Sequence, residues 1–335
     1  MFFSCDTQKE TQLSYDSMSP EEISENELQA KRWESSNLKY ITAYDFINTD
    51  KGLLLTATSV GVFSSTNNGL HWKQYSSNAL SGKVVTCLAA SGNGGIFAGA
   101  QENGLFYSED NGVSWQKITE TISNENNELI VNTVCYSNGY VFIGTKSNGI
   151  FRSADLGKSW HPANNGISTL LTSNSDYFTN ENNIIKLLSD NNVVYALTQD
   201  GMYKSETYGD SWIYLEHKGM DSPNMVSCLA DKDDLLFAGR FIKDGVYVSE
   251  DQGKTWRKSG LQGENIYCLK VGKSGAVYAG TDKGEVFRTT DNGITWQKIT
   301  KGLPKNGGFV YSLGISPNGY ILASLENKGI TRFSK

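Results

Sequence analysis

The sequence predicts an all-β protein, a ring of seven similar four-stranded units, and three observations carry that prediction. An eight-residue phrase recurs along the 335-residue chain. A tryptophan closes each copy of the phrase at a nearly regular interval. Between the copies, short runs rich in β-branched and aromatic residues alternate with Gly, Asn and Asp, which is the pattern of antiparallel strands joined by tight turns.

The recurring phrase reads SEDNGVSW at residues 108–115. Its other copies are SADLGKSW at 153–160, SETYGDSW at 205–212, SEDQGKTW at 249–256, TTDNGITW at 289–296 and the more divergent STNNGLHW at 65–72. Repeat folds grow by adding units rather than separate cores. The length alone would suggest two domains. The recurring phrase instead predicts one repeat domain over residues 31–335.

Each copy of the phrase is preceded by strand-like runs in the same order. In the second unit the strand-like runs are VVTCLAASG at 84–92, GIFAGAQ at 95–101, GLFYSED at 104–110 and SWQKIT at 114–119. Successive tryptophans from Trp72 to Trp296 stand 40–52 residues apart. Four strands in each unit of about 40–45 residues indicate the blade of a β-propeller.

The last unit is split between the two ends of the chain. After Trp296 come FVYSLGIS, YILASLE and GITRFSK, which make three strands without a fourth. Trp33, in KRWESS, precedes Trp72 by 39 residues. We expect residues of about 31–36 to be the outer strand of the last blade, because pairing the chain ends removes the open sheet edge. The alternative is a six-bladed ring with an extra strand packed outside it.

The phrase has a structural role, and we call it the corner turn because it joins strands three and four. Glycine allows positive φ, the Asp and Ser side chains accept backbone hydrogen bonds, and the tryptophan packs against the sheet. Asn67 and Thr207 replace the Asp in two copies. The predicted structural residues are Ser108, Asp110, Gly112, Trp115, Asp155, Gly157, Trp160, Gly209, Trp212, Asp251, Gly253, Trp256, Asp291, Gly293 and Trp296.

This pattern, S-x-D-x-G-x-[ST]-W, resembles the Asp-box repeat, also called the bacterial neuraminidase repeat, over nearly the whole chain from Lys31 to Lys335. The resemblance implies a propeller and leaves the function open. Asp-box propellers include sialidases, tandem-propeller xyloglucanases, sortilin-type receptors and photosystem II stability and assembly factors. A single ring without other domains is closest in layout to the assembly factors and to secreted bacterial relatives.

The residues argue against a sialidase. Such enzymes carry Arg-Ile-Pro ahead of the first box and an arginine triad, because paired guanidinium donors fit a carboxylate. No Arg-Ile-Pro occurs here, and Arg152, Arg288 and Arg332 occupy one repeated slot of strand three. The alternative to a binding protein remains a glycoside hydrolase, sialidase-like or another glycan-active enzyme, with a carboxylate pair assembled from different blades on the face of the ring that carries the irregular loops. The histidines are scattered and DKDD at 231–234 lacks the pattern of a calcium loop, so we expect no metal and no cofactor.

A partner is expected on one face of the ring. The irregular segments, 120–130, 164–183, 217–223 and 240–244, all join strand four to the next blade or strand two to strand three. We call this side the loop face and the other side the corner-turn face. Loops on a rigid scaffold often carry function, and the candidate residues for a protein or glycan ligand are Arg240, Phe241, Tyr177, Phe178, Lys243 and His217. The alternative is that these are tolerated insertions with Phe and Tyr packed back onto the rim.

Charge and hydropathy limit the other partners. A formal net charge of −6 without a basic stripe argues against nucleic acid. No run approaches the ~18 apolar residues of a membrane-spanning helix, so a membrane contact would need a lipid anchor. We expect a monomer. Cys87, Cys135, Cys228 and Cys268 recur in similar strand frames and are predicted to be free, buried thiols.

Residues 1–30 differ from the repeats. MFFSC resembles the end of a bacterial lipoprotein signal, although the charged start and most of the apolar segment of a signal peptide are missing. Cys5 would then be the lipidated residue of an extracytoplasmic protein, either periplasmic, at the cell surface or secreted; the alternative is a cysteine present by chance. SPEEISENELQAK offers Ser19 and Glu22 as a capping box, which predicts a short acidic helix before the propeller.

Overall fold

The computed structural model describes residues 31–75, 79–119, 122, 129–167, 183–190, 192–220 and 225–333. These residues form seven sheets, each of four antiparallel strands. Cys5 and the short acidic helix predicted before the propeller lie outside the described residues. Within the described ranges no helix could cross a membrane.

The chain enters the ring at β1 (Trp33–Ser35) and then builds blades 1 to 6 in order, each from its innermost to its outermost strand. Blade 1 comprises β2 (Ala43–Asn48), β3 (Leu54–Thr58), β4 (Gly61–Ser65) and β5 (Lys73–Gln74); blade 2 comprises β6 (Val85–Gly92), β7 (Gly95–Ala100), β8 (Gly104–Ser108) and β9 (Gln116–Lys117); blade 3 comprises β10 (Val131–Ser137), β11 (Tyr140–Thr145), β12 (Ile150–Ser153) and β13 (His161–Pro162).

The second half follows the same order. Blade 4 comprises β14 (Ile184–Asp190), β15 (Val193–Thr198), β16 (Met202–Ser205) and β17 (Ile213–Tyr214); blade 5 comprises β18 (Val226–Lys232), β19 (Leu235–Arg240), β20 (Val246–Ser249) and β21 (Arg257–Gly260); blade 6 comprises β22 (Ile266–Val271), β23 (Val277–Thr281), β24 (Val286–Thr289) and β25 (Gln297–Lys298). Blade 7 comprises β26 (Val310–Ile315), β27 (Ile321–Leu325) and β28 (Gly329–Phe333), with β1 as its outermost strand.

The two ends of the described chain close the ring as predicted. Strand β1 pairs antiparallel with β28, and Trp33 lies opposite Phe333 with their ring centroids 5.2 Å apart. Trp33 Nε1 donates to the carbonyl of Ile299, at 2.6 Å, in blade 6. The fold is therefore seven-bladed, and the alternative of an extra strand outside six blades is wrong. Closure leaves no unpaired edge at the join.

The innermost strands carry a shared irregularity. The register of each shifts after the first residue, as between Ala43 and Asp45 or between Val85 and Cys87. In several blades the polar side chain at the second residue bonds the next blade: Thr86 Oγ1 donates to the carbonyl of Val131 at 2.6 Å. Such bonds join neighbouring blades where their backbones come closest to the central channel.

The described cysteines belong to the seams between blades. Cys87, Cys135, Cys228 and Cys268 are free thiols, as predicted, but only Cys87 and Cys135 are buried, while Cys228 and Cys268 are partly buried. Burial raises the pKa of Cys87 to about 12. A Cβ on Gly99 would lie 2.4 Å from Cys87 Sγ and 2.8 Å from a methyl group of Val131. A glycine on the second strand therefore makes room for the thiol and for the next blade.

Candidate functional site

The corner turns form a fixed hydrogen-bond network. In the copy at 108–115, the Ser108 hydroxyl lies 2.7 Å from Asp110 Oδ1 and accepts the amide of Gly112 at 2.8 Å. Asp110 Oδ1 also accepts the amide of Ser114 at 2.9 Å, and Trp115 Nε1 donates to the carbonyl of Gly112 at 2.9 Å. Asp155, Asp251 and Asp291 make the matching bonds. The Ser108 hydroxyl, the Asp110 carboxylate and the Trp115 indole are thus all used inside this turn.

The carboxylate of this network can be replaced. Thr207 Oγ1 accepts the amide of Ser211 at 3.0 Å, and Asn67 Oδ1 accepts that of His71 at 2.9 Å. Where Asp is present, bonds from Ser159 lower the pKa of Asp155 to about 2. A carboxylate that stays ionised and is held by the turn is unsuited to act as a general acid, so the hydrogen bonds give the corner turns a positioning role.

Two of the predicted ligand-binding residues lie inside the protein, which corrects the expectation that they face a ligand. Arg240 is fully buried, pairs with Asp244 and has its guanidinium carbon 5.3 Å from the centroid of the Tyr247 ring. A buried charge needs such partners to offset its lost hydration. Arg240 therefore fixes the turn between β19 and β20 instead of presenting a guanidinium to a ligand.

His217 is buried beside the same turn. Its Nε2 atom accepts the amide of Met202 at 3.3 Å. Burial and the charge of Arg240 lower the pKa of His217 to about 4. A neutral imidazole with this bond holds the 217–220 segment against blade 4 and is closed to a surface ligand. Tyr177 and Phe178 lie outside the described residues, so their predicted role stays a prediction.

The other two predicted residues lie at the surface. Lys243 is exposed, and its backbone amide donates to Asn265 Oδ1 at 2.7 Å. Phe241 is half-buried, and its ring meets that of Tyr267 edge to face at 5.0 Å and 70°. Phe241 is thereby the first member of a larger aromatic set.

Five rings form a continuous set at the loop-face mouth of the central channel, and we call it the aromatic arc. It runs through Phe241, Tyr267, Phe309, Tyr311 and Tyr44, in blades 5, 6, 7 and 1. Successive centroids lie 5.0, 4.8, 6.1 and 6.2 Å apart. Three of the four ring pairs are edge to face, at 69–74°, so the rings form walls at steep angles and not one flat stack.

The repeat explains how the arc is assembled. Tyr44, Tyr267 and Tyr311 are each the second residue of an innermost strand, which places them at the same height around the channel. Other blades have Thr86, Asn132, Ile185 and Ser227 at this position. The candidate residues chosen from the sequence missed these three tyrosines. Aligning the units on the innermost strand, rather than on the tryptophan, would have shown them.

Two carboxylates lie beside the arc. Burial, followed by the charges of Asp282 and Glu326, raises the pKa of the Tyr267 phenol. Burial, followed by Glu326, does the same for Tyr311. Asp282 Oδ2 accepts a hydrogen bond from the side-chain amide of Asn265, at 2.6 Å. Its Oδ1 is buried without a hydrogen-bond partner among the described residues. Glu326 is half-buried, with no ion-pair partner in the described ranges. The charged side chains that act on these two phenols are therefore both negative.

Below the arc the channel widens into a cavity of about 640 Å³ lined by the innermost strands. Its interior has charges of both signs, because Lys186, Lys270, Asp45 and Asp231 all line it. Burial lowers the pKa of Lys270, while the charges of Asp45 and Asp231 oppose that shift. The Asp45 carboxylate is fixed by the amides of Phe46 and Leu88, at 2.9 and 3.0 Å. No cluster that could hold a metal ion occurs among the described side chains.

Comparison with known proteins places the fold. Residues 185–314, less than half of the chain, match a family described as DUF6242 beta propeller domain. No curated protein sequence matches the chain significantly. Among solved structures, the extracellular domain of a hybrid two-component system protein from B. thetaiotaomicron is similar, with 14% identity and a TM-score of 0.68 over 90% of this chain. This chain spans only 39% of that neighbour's length.

Three further structures differ in what their names state. YCF48 from Cyanidioschyzon merolae is 15% identical over 90% of this chain and 98% of its own, with a TM-score of 0.67. YCF48 bound to a D1 peptide gives 16% identity over 90% and 97%, with a TM-score of 0.69. A GH74 enzyme from Niastella koreensis is 16% identical over 88% of this chain and 43% of its own, with a TM-score of 0.63. Identities this low show the propeller fold alone.

Proposed function

We propose that this chain is a non-catalytic Asp-box propeller that serves as a binding or assembly platform for a protein or glycan ligand. The observation that carries the proposal is the aromatic arc, five rings across four blades at one channel mouth. Partly exposed aromatic clusters in a concave rim are typical of binding sites. The YCF48 neighbour solved with a D1 peptide supports peptide binding by propellers of this shape.

Photo-crosslinking tests which face binds. A photoreactive phenylalanine would replace Tyr311 on the loop face or Ile294 on the corner-turn face, residues that are 36% and 73% exposed. With a protein ligand, we expect a saturable adduct from position 311 and none from position 294. With a glycan ligand, we expect the substitution at position 311 to block binding on a glycan array and the substitution at position 294 to leave it unchanged. The Tyr267→Ala/Phe309→Ala double variant should lose the adduct, while Tyr40→Ala, which removes an exposed tyrosine outside the arc, should keep it. Adducts from position 294 alone would contradict the proposal.

The second candidate is a glycoside hydrolase, because such enzymes use two carboxylates and both Asp282 and Glu326 act on the Tyr267 phenol. Oligosaccharide hydrolysis assays on Asp282→Asn and Glu326→Gln decide between the two. Loss of a measured activity by roughly a hundredfold or more in either variant would favour the enzyme. Binding without turnover would favour the platform.

We also propose an extracytoplasmic location, with Cys5 as a lipidated residue. The likeness to an extracellular Bacteroides domain and the MFFSC segment support it. Mass spectrometry of the full-length product from its native host should find acylated Cys5, and Cys5→Ala should release the protein from the membrane fraction. An unmodified Cys5 in that product would remove the anchor from the proposal.

A further inference from the structure

The aromatic arc has the features of a cation site. The Phe241–Tyr267, Phe309–Tyr311 and Tyr311–Tyr44 pairs meet at 70°, 69° and 74°. Rings that stand steeply to one another enclose space on more than one side, and the face of each ring is negative because of its quadrupole. Such walls favour an ammonium or guanidinium group, which gains from several ring faces at once.

The charges that act on the middle of the arc have the matching sign. The charged groups that act on the Tyr267 phenol are the carboxylates of Asp282 and Glu326. Lys283, the nearest lysine in sequence to Asp282, has its ammonium 2.8 Å from the carboxylate of Glu264 instead. Within the described ranges, Glu326 has no ion-pair partner and Asp282 Oδ1 has no hydrogen-bond partner. The rim therefore has negative charge left for a ligand.

The channel below the arc holds charged groups of both signs. Lys186 and Lys270 line the same cavity as Tyr44, Tyr267 and Tyr311. They stand at the third and fifth residues of their innermost strands, deeper than the tyrosines at the second. Asp45 and Asp231 line this cavity too, so the deeper channel carries anions that offset its lysines, while the two carboxylates at the rim are available to a basic group among the rings.

We infer that the aromatic arc binds a lysine or arginine side chain that a protein partner inserts at the loop-face mouth of the channel. This inference rests on the proposed platform function and names the chemistry of the partner. Arc and carboxylates act together: the rings exclude water from the aliphatic stem, while Glu326 and Asp282 attract the charged end.

Small peptides test the inference on the full chain. The probes are acetyl-Gly-Gly-Lys-Gly-Gly-amide, its arginine analogue and the uncharged norleucine analogue, followed by backbone amide NMR shifts at residues 265–267 and 309–311. We expect saturable shifts with the lysine and arginine peptides and at least about fivefold weaker binding of the norleucine peptide, the effect of an ordinary cation–π contact. Binding should weaken as salt rises, since the carboxylates contribute by Coulomb attraction.

Variants separate the charge from the rings. Glu326→Gln keeps the shape and should weaken the lysine peptide about threefold or more, with no change for norleucine. Glu109→Gln makes the same charge change at an exposed position on the corner-turn face and should leave binding unchanged. Phe309→Ala should abolish binding of every peptide, and thermal unfolding shows whether each variant is folded.

Three results would overturn the inference. Equal binding of lysine and norleucine peptides would make the arc an apolar platform, and binding of an oligosaccharide without the lysine peptide would make it a glycan site. In both cases the proposed platform survives and only the cation fails. Absence of shifts with all peptides also overturns the inference, whereas the platform itself fails only if crosslinking at position 311 finds no ligand.

Discussion

On the corner-turn face each Asp, Ser and Trp finds its partners within its own turn or the neighbouring blade, and the arrangement repeats from blade to blade. At the loop-face mouth the aromatic side chains of Tyr267, Phe309 and Tyr311 come from neighbouring blades, and the set is not repeated in the other blades of the propeller. Asp282 there keeps a buried oxygen without a described partner. The repeated Asp, Ser and Trp side chains are hydrogen-bonded, whereas Asp282 at the non-repeated mouth has polar capacity left for a ligand.

The two faces also differ in what an aromatic side chain does. Trp256 is 5% exposed and its indole donates to the carbonyl of Gly253 at 3.0 Å, whereas Tyr311 is 36% exposed. Burial of the first contributes to folding, because nearly all of its apolar area leaves water. The second keeps much of its area for contact with another molecule.

The largest expected effect tests that contrast. Trp256→Ala should lower the free energy of unfolding by about 3–5 kcal/mol, the usual cost of a buried tryptophan. Tyr311→Ala should cost less, about 1–2 kcal/mol, because the partly exposed ring contacts only Phe309 and Tyr44 among the rings of the arc, while it should reduce ligand or peptide binding. Urea unfolding followed by circular dichroism measures both. A similar loss of stability in the two variants would show that the arc is a structural rim and break the comparison.

The second prediction concerns His217, a buried group of the loop face, and the pH dependence of stability that it causes. The pKa of His217 falls from 6.5 to about 4 on folding, so the unfolded chain takes up this proton first. Stability from the neutral imidazole is therefore complete above about pH 6.5 and is lost as the pH falls towards 4, by about 3 kcal/mol in total.

His217→Gln keeps an acceptor for the Met202 amide and removes the titration. The difference in unfolding free energy between the native protein and this variant should shrink steadily from pH 7 to pH 4. His71→Gln is the matched control, because that residue is exposed, and its difference from the native protein should stay flat. A flat difference for His217→Gln as well would mean that the imidazole is open to solvent and available to a ligand.

Much of the fold was predictable because the repeat provides the same information many times. The spacing of Trp33 from Trp72 matched the missing strand of the last blade, and the pairing of Trp33 with Phe333 confirms it. The corner turns were predictable for a related reason. Their hydrogen bonds are local, and substitutions such as Thr207 in the repeat already showed that charge is not required.

For the candidate site, the sequence predicted only that it lies on the loop face of the propeller. Arg240 and Phe241 are adjacent in sequence, yet the first is fully buried and the second joins the arc. Burial of Arg240 depends on Asp244 and Tyr247 closing around it, and composition does not reveal such tertiary partners. The arc needed contacts between Tyr44 and Tyr311, which only the closure of the ring brings together.

The smallest expected effect asks whether a corner-turn Asp is purely structural. Asp251 accepts the amide and the hydroxyl of Thr255 at 2.8 and 2.6 Å. Asp251→Ala removes both acceptors and should cost about 1 kcal/mol of unfolding free energy, the usual contribution of a hydrogen bond at such a turn. Asp251→Asn should cost less, because Asn67 fills this position in blade 1 with a bond of 2.9 Å to the His71 amide. Neither change should alter peptide binding at the arc. A loss of binding on Asp251→Asn with unchanged stability would place function on the corner-turn face and reverse the comparison of the two faces.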